Sequence, residues 1–340
     1  MAEALHTKYR PKTWSEVCSQ TTIVKILSKQ IETNSFKNAY IFCGTSGAGK
    51  TSVARIFANE INKGQGHPIE IDAASHNGVE DIRNLISSAN ERAIDCTYKV
   101  IIIDEAHSIS TQGWQAFLKC IEEPPPFTIF IFCSTEIQKI PETIKNRCQR
   151  YTFGRISTDK IKERLTYICQ QEGFQNYTEG VEHIAKLANG GMRTAISYLD
   201  KCASFSKDIT VANVRNTLEL YQHTLFFRLI DHLMNKNVGG VLKAVDYFYN
   251  EGNDLKVFVD QFLNFVVDIC KYSLFKNCDL TEIPNSAITE LNEICSYEHI
   301  SENLVTCMDT LLNLKNEIKN DTAPKTTIEV TFVLLCKQLI

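Results

Sequence analysis

Two stretches of this chain, Val100-Ile-Ile-Ile103 and Ile129-Phe-Ile-Phe132, are apolar at four successive positions. Successive residues of a strand point to opposite faces, so a strand with no polar alternation must be covered on both sides. Such strands belong in the centre of a parallel sheet with helices packed on each face. Shorter apolar runs at Tyr40–Cys43, Pro68–Asp72 and Tyr151–Phe153 supply further candidate strands, and the two long runs extend to Lys99–Ile103 and Phe127–Cys133. Helical periodicity lies between them at about 22–33, 50–62, 78–94 and 112–122. The last is stopped by Pro124-Pro125-Pro126, which cannot continue a helix.

From Arg155 onward the strand signal gives way to helical patterns. Ser157 is placed to cap a helix ending at Gly173, Thr178 to cap one ending at Asn189-Gly190, and a third runs from about Met192 to Phe205. Longer amphipathic stretches follow at Leu225–Met234, Val241–Tyr249 and Leu255–Phe275, broken by Asn- and Gly-rich segments. At 340 residues the chain has room for two or three domains. The pattern divides it into an α/β domain over 1–154, an all-α domain over 155–207 and a second all-α domain over 208–340. No run approaches the roughly 20 apolar residues a membrane span needs, and the N-terminus lacks a signal peptide's apolar segment. The 13 cysteines are scattered, odd in number and never spaced Cys-x-x-Cys, which fits reduced core thiols better than disulfides. A net charge of −4 excludes a strong overall basic field of the kind that advertises nucleic acid.

Gly44-Thr45-Ser46-Gly47-Ala48-Gly49-Lys50-Thr51-Ser52 contains G-x-x-x-x-G-K-[ST] between a candidate strand and a candidate helix. The glycines let successive backbone N–H groups face a phosphate, and the helix N-terminus adds favourable partial charge. Lys50 would reach the outer phosphates and Thr51 would ligate Mg²⁺. Asp104-Glu105 closes the strand at Val100-Ile-Ile-Ile103, with Asp104 placed to hold the same Mg²⁺ and Glu105 to polarise an attacking water. Asp104-Glu-Ala-His107 also spells a helicase box, but no second motor domain follows, and His107 reads as structural.

Further segments resemble the ATPase subunits of clamp loaders in the AAA+ superfamily, with closest similarity to the gamma/tau type of bacterial DNA polymerase III. Lys8-Tyr-Arg-Pro-Lys-Thr-Trp14 resembles the family's N-terminal segment, which implies that Tyr9, Arg10 and Pro11 lie against the adenine. Ile71-Asp-Ala-Ala-Ser75 with Val79-Glu-Asp-Ile-Arg83 is similar to the segment after the family's second strand. Phe132-Cys-Ser-Thr135-Glu resembles the sensor 1 strand end, implying that Thr135 stands between the acidic pair and the γ-phosphate. Asn146-Arg147-Cys148 resembles the family's Ser-Arg-Cys motif, which implies that Arg147 acts in trans on a neighbour's ATP. Gly190-Gly-Met-Arg193-Thr-Ala-Ile-Ser resembles sensor 2, so Arg193 would contact its own subunit's nucleotide. Ala323-Pro-Lys-Thr-Thr-Ile-Glu-Val-Thr-Phe-Val-Leu-Leu is similar to the last collar helix.

The resemblance implies a P-loop AAA+ domain, a helical lid and a helical collar. It implies ATP and Mg²⁺ as cofactors, with a sliding clamp, other loader subunits in a pentameric ring and primer–template DNA as partners. The location it implies is cytoplasmic, bacterial or, for a phage-encoded chain, the host's. It departs from the family where Asn62-Lys-Gly-Gln-Gly-His-Pro68 replaces a four-cysteine zinc module. With no cysteine between Cys43 and Cys96, no zinc is expected there. Cys18-Ser19-Gln20 replaces Val-Gly-Gln, and the tau-type extension is not present in the sequence. Two rival readings remain: a nucleotide-binding scaffold subunit that does not hydrolyse ATP, and an AAA+ branch-migration motor.

Overall fold

The computed structural model describes residues 3–76, 78–218, 223–250, 254–277, 281, 283 and 287–340. The chain divides into two compact units, residues 1–214 and 215–340. In the first, α1 (Leu5–Lys8) and α2 (Thr21–Glu32) precede β1 (Ala39–Gly44), α3 (Lys50–Ile61), β2 (Ile69–Asp72), α4 (Val79–Ala89) and β3 (Lys99–Asp104). Then come α5 (Thr111–Glu122), β4 (Thr128–Ser134), α6 (Glu142–Lys145) and β5 (Gln149–Phe153). The five strands are parallel in the order β2-β3-β4-β1-β5.

The unbroken apolar runs lie in the two strands that neighbour each other near the sheet's centre, and their residues feed two cores in alternation. Ile101, Ile103, Phe130 and Phe132 pack with Ile82, Leu85, Trp114 and Phe117 of α4 and α5. Val100, Ile102, Ile129 and Ile131 pack with Leu27, Val53 and Phe57 of α2 and α3. Every residue of β4 is buried, whereas the edge strand β2 alternates between half-buried and exposed. β2 begins one residue later than its apolar run because Pro68 has no N–H for a ladder.

α4 ends at Ala89, short of the expected 94, and Ile94 is exposed. Asn90 Nδ2 donates to the Ile86 carbonyl at 3.0 Å and Lys99 Nζ to that of Ser88 at 2.6 Å, so side chains terminate the last turn. The first unit closes with α7 (Thr158–Glu172), α8 (Thr178–Leu187) and α9 (Met192–Phe205), which pack on one another. Ser157 Oγ accepts from the Lys160 N–H and Gly173 ends α7 in a left-handed conformation (φ 69°), as expected. Thr178 is not a cap. It is the first helical residue of α8, behind Tyr177, and no side chain caps that end.

α10 (Val211–Thr217) contains the division between the units. The second unit consists of α11 (His223–Met234), α12 (Val238–Asn250), α13 (Leu255–Phe275), α14 (Ile288–Ile294), α15 (Ile300–Glu317) and α16 (Pro324–Gln338). Its core is rich in rings, with Phe226, Phe248, Phe258, Phe262 and Phe332 in mutual contact. Ile328, Phe332 and Leu335 of α16 are fully buried within that core. Every described cysteine is a free thiol, and Cys278 lies outside the described residues. No helix among the described residues is long and apolar enough to cross a membrane.

One close approach fixes how α8 sits. A Cβ built on Gly180 would lie 2.0 Å from the Ile209 carbonyl oxygen, so only glycine fits beneath the segment that follows α9. Gly180→Ala should therefore destabilise the first unit by about 1–3 kcal/mol, the usual cost of overpacking. Urea unfolding would register this as a lower midpoint at unchanged slope; an unaltered midpoint would reject the packing.

Candidate nucleotide site

A parallel sheet gathers its functional loops at the strands' C-terminal ends. β1 ends at Gly44 and β3 at Asp104, with β4 between them. Gly44 is confined by a close approach, since a Cβ there would meet the Phe153 carbonyl oxygen at 2.2 Å. Gly47 (φ 72°) and Gly49 (φ 97°) adopt left-handed conformations that let the loop wrap before α3 starts at Lys50.

Lys50 is buried, and its ammonium donates to the carbonyls of Gly44 at 2.9 Å and Thr45 at 3.0 Å. Burial lowers its pKa from the ordinary lysine value. Thr51 Oγ1 donates to Asp104 Oδ2 at 2.8 Å, so the first turn of α3 is tied to the end of β3. Glu105 follows in a left-handed conformation (φ 47°), uncommon for a residue other than glycine. Thr135 Oγ1 approaches Glu105 Oε2 at 3.5 Å.

Tyr9, Arg10, Pro11, Ser46 to Ser52, Asp104, Glu105 and Arg193 line one cleft. The remaining candidates stand elsewhere. Gly44 and Thr45 open the loop and meet Lys50 through their carbonyls, and Thr135 reaches the cleft through Glu105. Arg147 is outside it. Its guanidinium donates to the Thr143 carbonyl at 2.7 Å and pairs with Glu122 Oε1 at 2.6 Å, with both side chains more than a third exposed.

Several residues not anticipated from the sequence also line the cleft, among them Arg55, Arg164 and Gln20. Gln20 Nε2 donates to the Gly154 carbonyl at 2.7 Å and lies 3.4 Å from that of Ala48, bracing the loop against the end of β5. Burial and then the like charges of Arg55 and Arg193 lower the pKa of Arg10. An anion among Arg10, Arg55, Arg193 and Lys50 would relieve that crowding.

The N-terminal segment is held by the helices after the sheet. Tyr9 donates a short hydrogen bond to Glu172 Oε1, which also pairs with Lys8 at 2.7 Å. Burial, followed by the Glu172 carboxylate, pushes the Tyr9 phenol up to about 12. Arg164 donates to the Tyr9 carbonyl at 3.0 Å, and the Leu5 N–H to Asp200 Oδ2 at 3.1 Å. At the other wall the Met192 N–H donates to the Gly47 carbonyl at 3.1 Å, joining the start of α9 to the glycine loop.

The donor set suits a metal-bound nucleoside triphosphate: a glycine loop at a helix N-terminus, a buried ammonium, a hydroxyl paired with a carboxylate and a ring of guanidinium groups. Three family profiles match in succession along the chain. They are "DNA polymerase III, delta subunit" over residues 67–157, "DNA polymerase III clamp loader subunit, ATPase lid domain" over 160–208, and "DNA polymerase III subunits gamma and tau domain III" over 209–339. Among curated relatives, DNA polymerase III subunit tau of Bacillus subtilis is 33% identical across 98% of this chain and 63% of its own length. The gamma/tau subunit of Mycoplasma genitalium is 32% identical across 85% of this chain and 52% of its own. The chain thus spans between about half and two thirds of those two relatives. The gamma subunit of Buchnera aphidicola is 26% identical across 97% of this chain and 98% of its own length. Among solved structures, the Thermotoga maritima RuvB Holliday junction branch migration motor superposes with a TM-score of 0.53 at 16% identity, covering 81% of this chain and 99% of its own. That likeness concerns the fold alone.

Because Glu172 anchors both Lys8 and Tyr9, Glu172→Ala should free the segment that precedes Lys12. Trypsin would then cut after Lys8 and Lys12 several-fold faster than in the unaltered chain, as followed by mass spectrometry. Equal rates would mean that other contacts hold the segment.

Proposed function

Since this chain belongs to the gamma/tau-like clamp-loader family of DNA polymerase III, we propose that it is an ATP-hydrolysing subunit that loads a ring-shaped sliding clamp onto primer–template DNA. The observation that carries the reading is the 2.8 Å contact between Thr51 Oγ1 and Asp104 Oδ2 beside the buried Lys50. It joins the hydroxyl and the carboxylate that would share one Mg²⁺, next to the ammonium that would meet the outer phosphates of ATP.

In this reading the backbone N–H groups from Gly44 through Ser52 receive the phosphates, and Lys50 exchanges its two carbonyl partners for phosphate oxygens. Mg²⁺ held by Thr51 and Asp104 would supply charge that neutralises the phosphates. Glu105 takes a proton from the attacking water, held in place by Thr135. Tyr9, Arg10 and Pro11 cover the base, and Arg193 at the start of α9 reports occupancy to the helices behind it. The chain has an AAA+ domain at 1–154, a lid at 155–207 and a collar at 208–340, and it works in the cytoplasm within a pentameric ring.

Arg147 is suited to a role in trans. An ion pair as exposed as Arg147–Glu122 is worth about 0–1 kcal/mol, so a neighbour's γ-phosphate would win the guanidinium away from it. A planar, permanently charged side chain there stabilises charge that builds in the transition state. DNA is held by its phosphates without base reading, because a loader acts at any sequence.

Lys50→Ala should remove ATP binding and turnover, and Glu105→Gln should keep binding while turnover falls about 10²–10⁴-fold. Stimulation of hydrolysis by a clamp and primed DNA tests function and partner together. Full stimulated activity in the Lys50 variant would reject the site, and failure of every clamp to stimulate the unaltered chain would reject the loader.

Arg147→Ala should bind ATP normally and lose about 10³–10⁵-fold in turnover. Mixing this inactive variant with inactive Lys50→Ala should restore hydrolysis, because each supplies what the other lacks across an interface. A mixture as inactive as its parts would show that the arginine serves its own subunit.

A further inference from the structure

Glu105 is approached by a side chain that the proposed reaction does not use. His107 lies in the short 3₁₀ turn Ala106–Ser108 that follows Glu105, and its side chain is only 15% exposed. Its Nδ1 is 3.4 Å from Glu105 Oε2 and its Nε2 is 3.3 Å from Glu136 Oε1. Ser134 Oγ is 3.3 Å from the same Nδ1. Ser134 also accepts the Glu136 N–H at 3.0 Å, and Lys139 holds Glu136 Oε1 at 2.9 Å. The ring therefore stands between the carboxylate at the end of β3 and the loop after β4.

A histidine with a purely structural task would be satisfied by one partner on each nitrogen. Here Nδ1 has two competing partners of opposite demand, because Glu105 needs an N–H while Ser134 can donate its hydroxyl to a lone pair. A neutral ring carries one N–H. With the proton on Nδ1 it donates to Glu105; with the proton on Nε2 it donates to Glu136, and Nδ1 accepts from Ser134. The first arrangement holds the Glu105 carboxylate and the second releases it. Glu105 Oε2 is also the oxygen that Thr135 approaches, so both contacts fix the same end of the carboxylate.

We propose that His107 is a positioning residue for Glu105, holding its carboxylate through Nδ1–H in an arrangement that exchanges with one directed at Glu136. The proposal rests on the reading of Glu105 as the residue that polarises water. The backbone makes such a tether useful, since the left-handed conformation of Glu105 turns its side chain away from the regular strand direction, and a free carboxylate there has rotamers to lose. Removing the tether would lower the fraction of time the carboxylate spends aimed at the cleft, without touching any group that meets the phosphates.

The test uses the purified full chain with primed DNA and a stimulating clamp. His107→Leu should lower kcat about tenfold, a part of the 10²–10⁴-fold that a general base contributes, with ATP affinity held within about twofold. His107→Gln, which can still donate an N–H, should recover most of the loss. In a ¹⁵N-histidine-labelled chain, Glu105→Gln should shift the His107 ring nitrogens more than those of any other histidine, a readout that needs neither turnover nor a change at His107. Unchanged kcat in the leucine variant, a parallel loss of ATP affinity, or unmoved His107 resonances would each overturn the tether. If instead Glu105→Gln keeps full turnover, the assignment of Glu105 itself has failed, which is a different result from loss of the tether alone.

Discussion

The structure depends on strands β3 and β4 being buried on both faces. Neighbouring parallel strands lie about 4.8 Å apart, so β1 and β3, separated by β4, end about 10 Å from each other. That is too far for their terminal residues to touch and about right for one helical turn to bridge. α3 provides the bridge because the glycine loop brings the chain back over the sheet, and Thr51 in its first turn then meets Asp104. Were either apolar run interrupted by polar residues, one of the two helical layers would lose its partner. The glycine loop and the acidic pair would then have no common frame.

Polar groups at the strand ends are arranged in the same economical way. β4 ends between the other two strands, and its last residues are Ser134, which is fully buried, and Thr135 just beyond. Neither meets the cleft directly. Both act on what does: Thr135 on Glu105, and Ser134 on the histidine beside it. A buried hydroxyl left unpaired would cost about 1–3 kcal/mol, so the contacts that satisfy Ser134 also keep the loop after β4 in register with the acidic pair.

Local sequence patterns carried most of the sheet and of the glycine loop. Absence of polar alternation is a property of single residues and their neighbours, and Val100 to Ile103 show it without reference to anything distant. Capping was legible where the motif is strong, at Ser157 and Gly173, and misread at Thr178, whose hydroxyl contributes no cap. The termination of α4 depended on Asn90, which closes back on its own last turn, and on Lys99, which reaches it from the next strand. The N-terminal segment was legible only as a resemblance. Its anchors, Glu172 and Asp200, lie more than 160 residues further on, and pairing at that distance leaves no periodic trace. His107 was read as structural because a sequence shows neither ring nitrogen's neighbours.

Those distant anchors bear on how the cleft can respond to an occupant. Tyr9 and Lys8 are fastened to α7 and Leu5 to α9, the helix that also carries Arg193. Among the described residues, the wall formed by the N-terminal segment and the wall formed by α9 are therefore tied to the same helical layer. A rigid displacement of α7 to α9 would carry Tyr9 and Arg193 together, and the Met192–Gly47 hydrogen bond joins that displacement to the glycine loop. If the proposed nucleotide binds there, occupancy at its phosphates and at its base would reach the same three helices without contact between the two ends of the ligand.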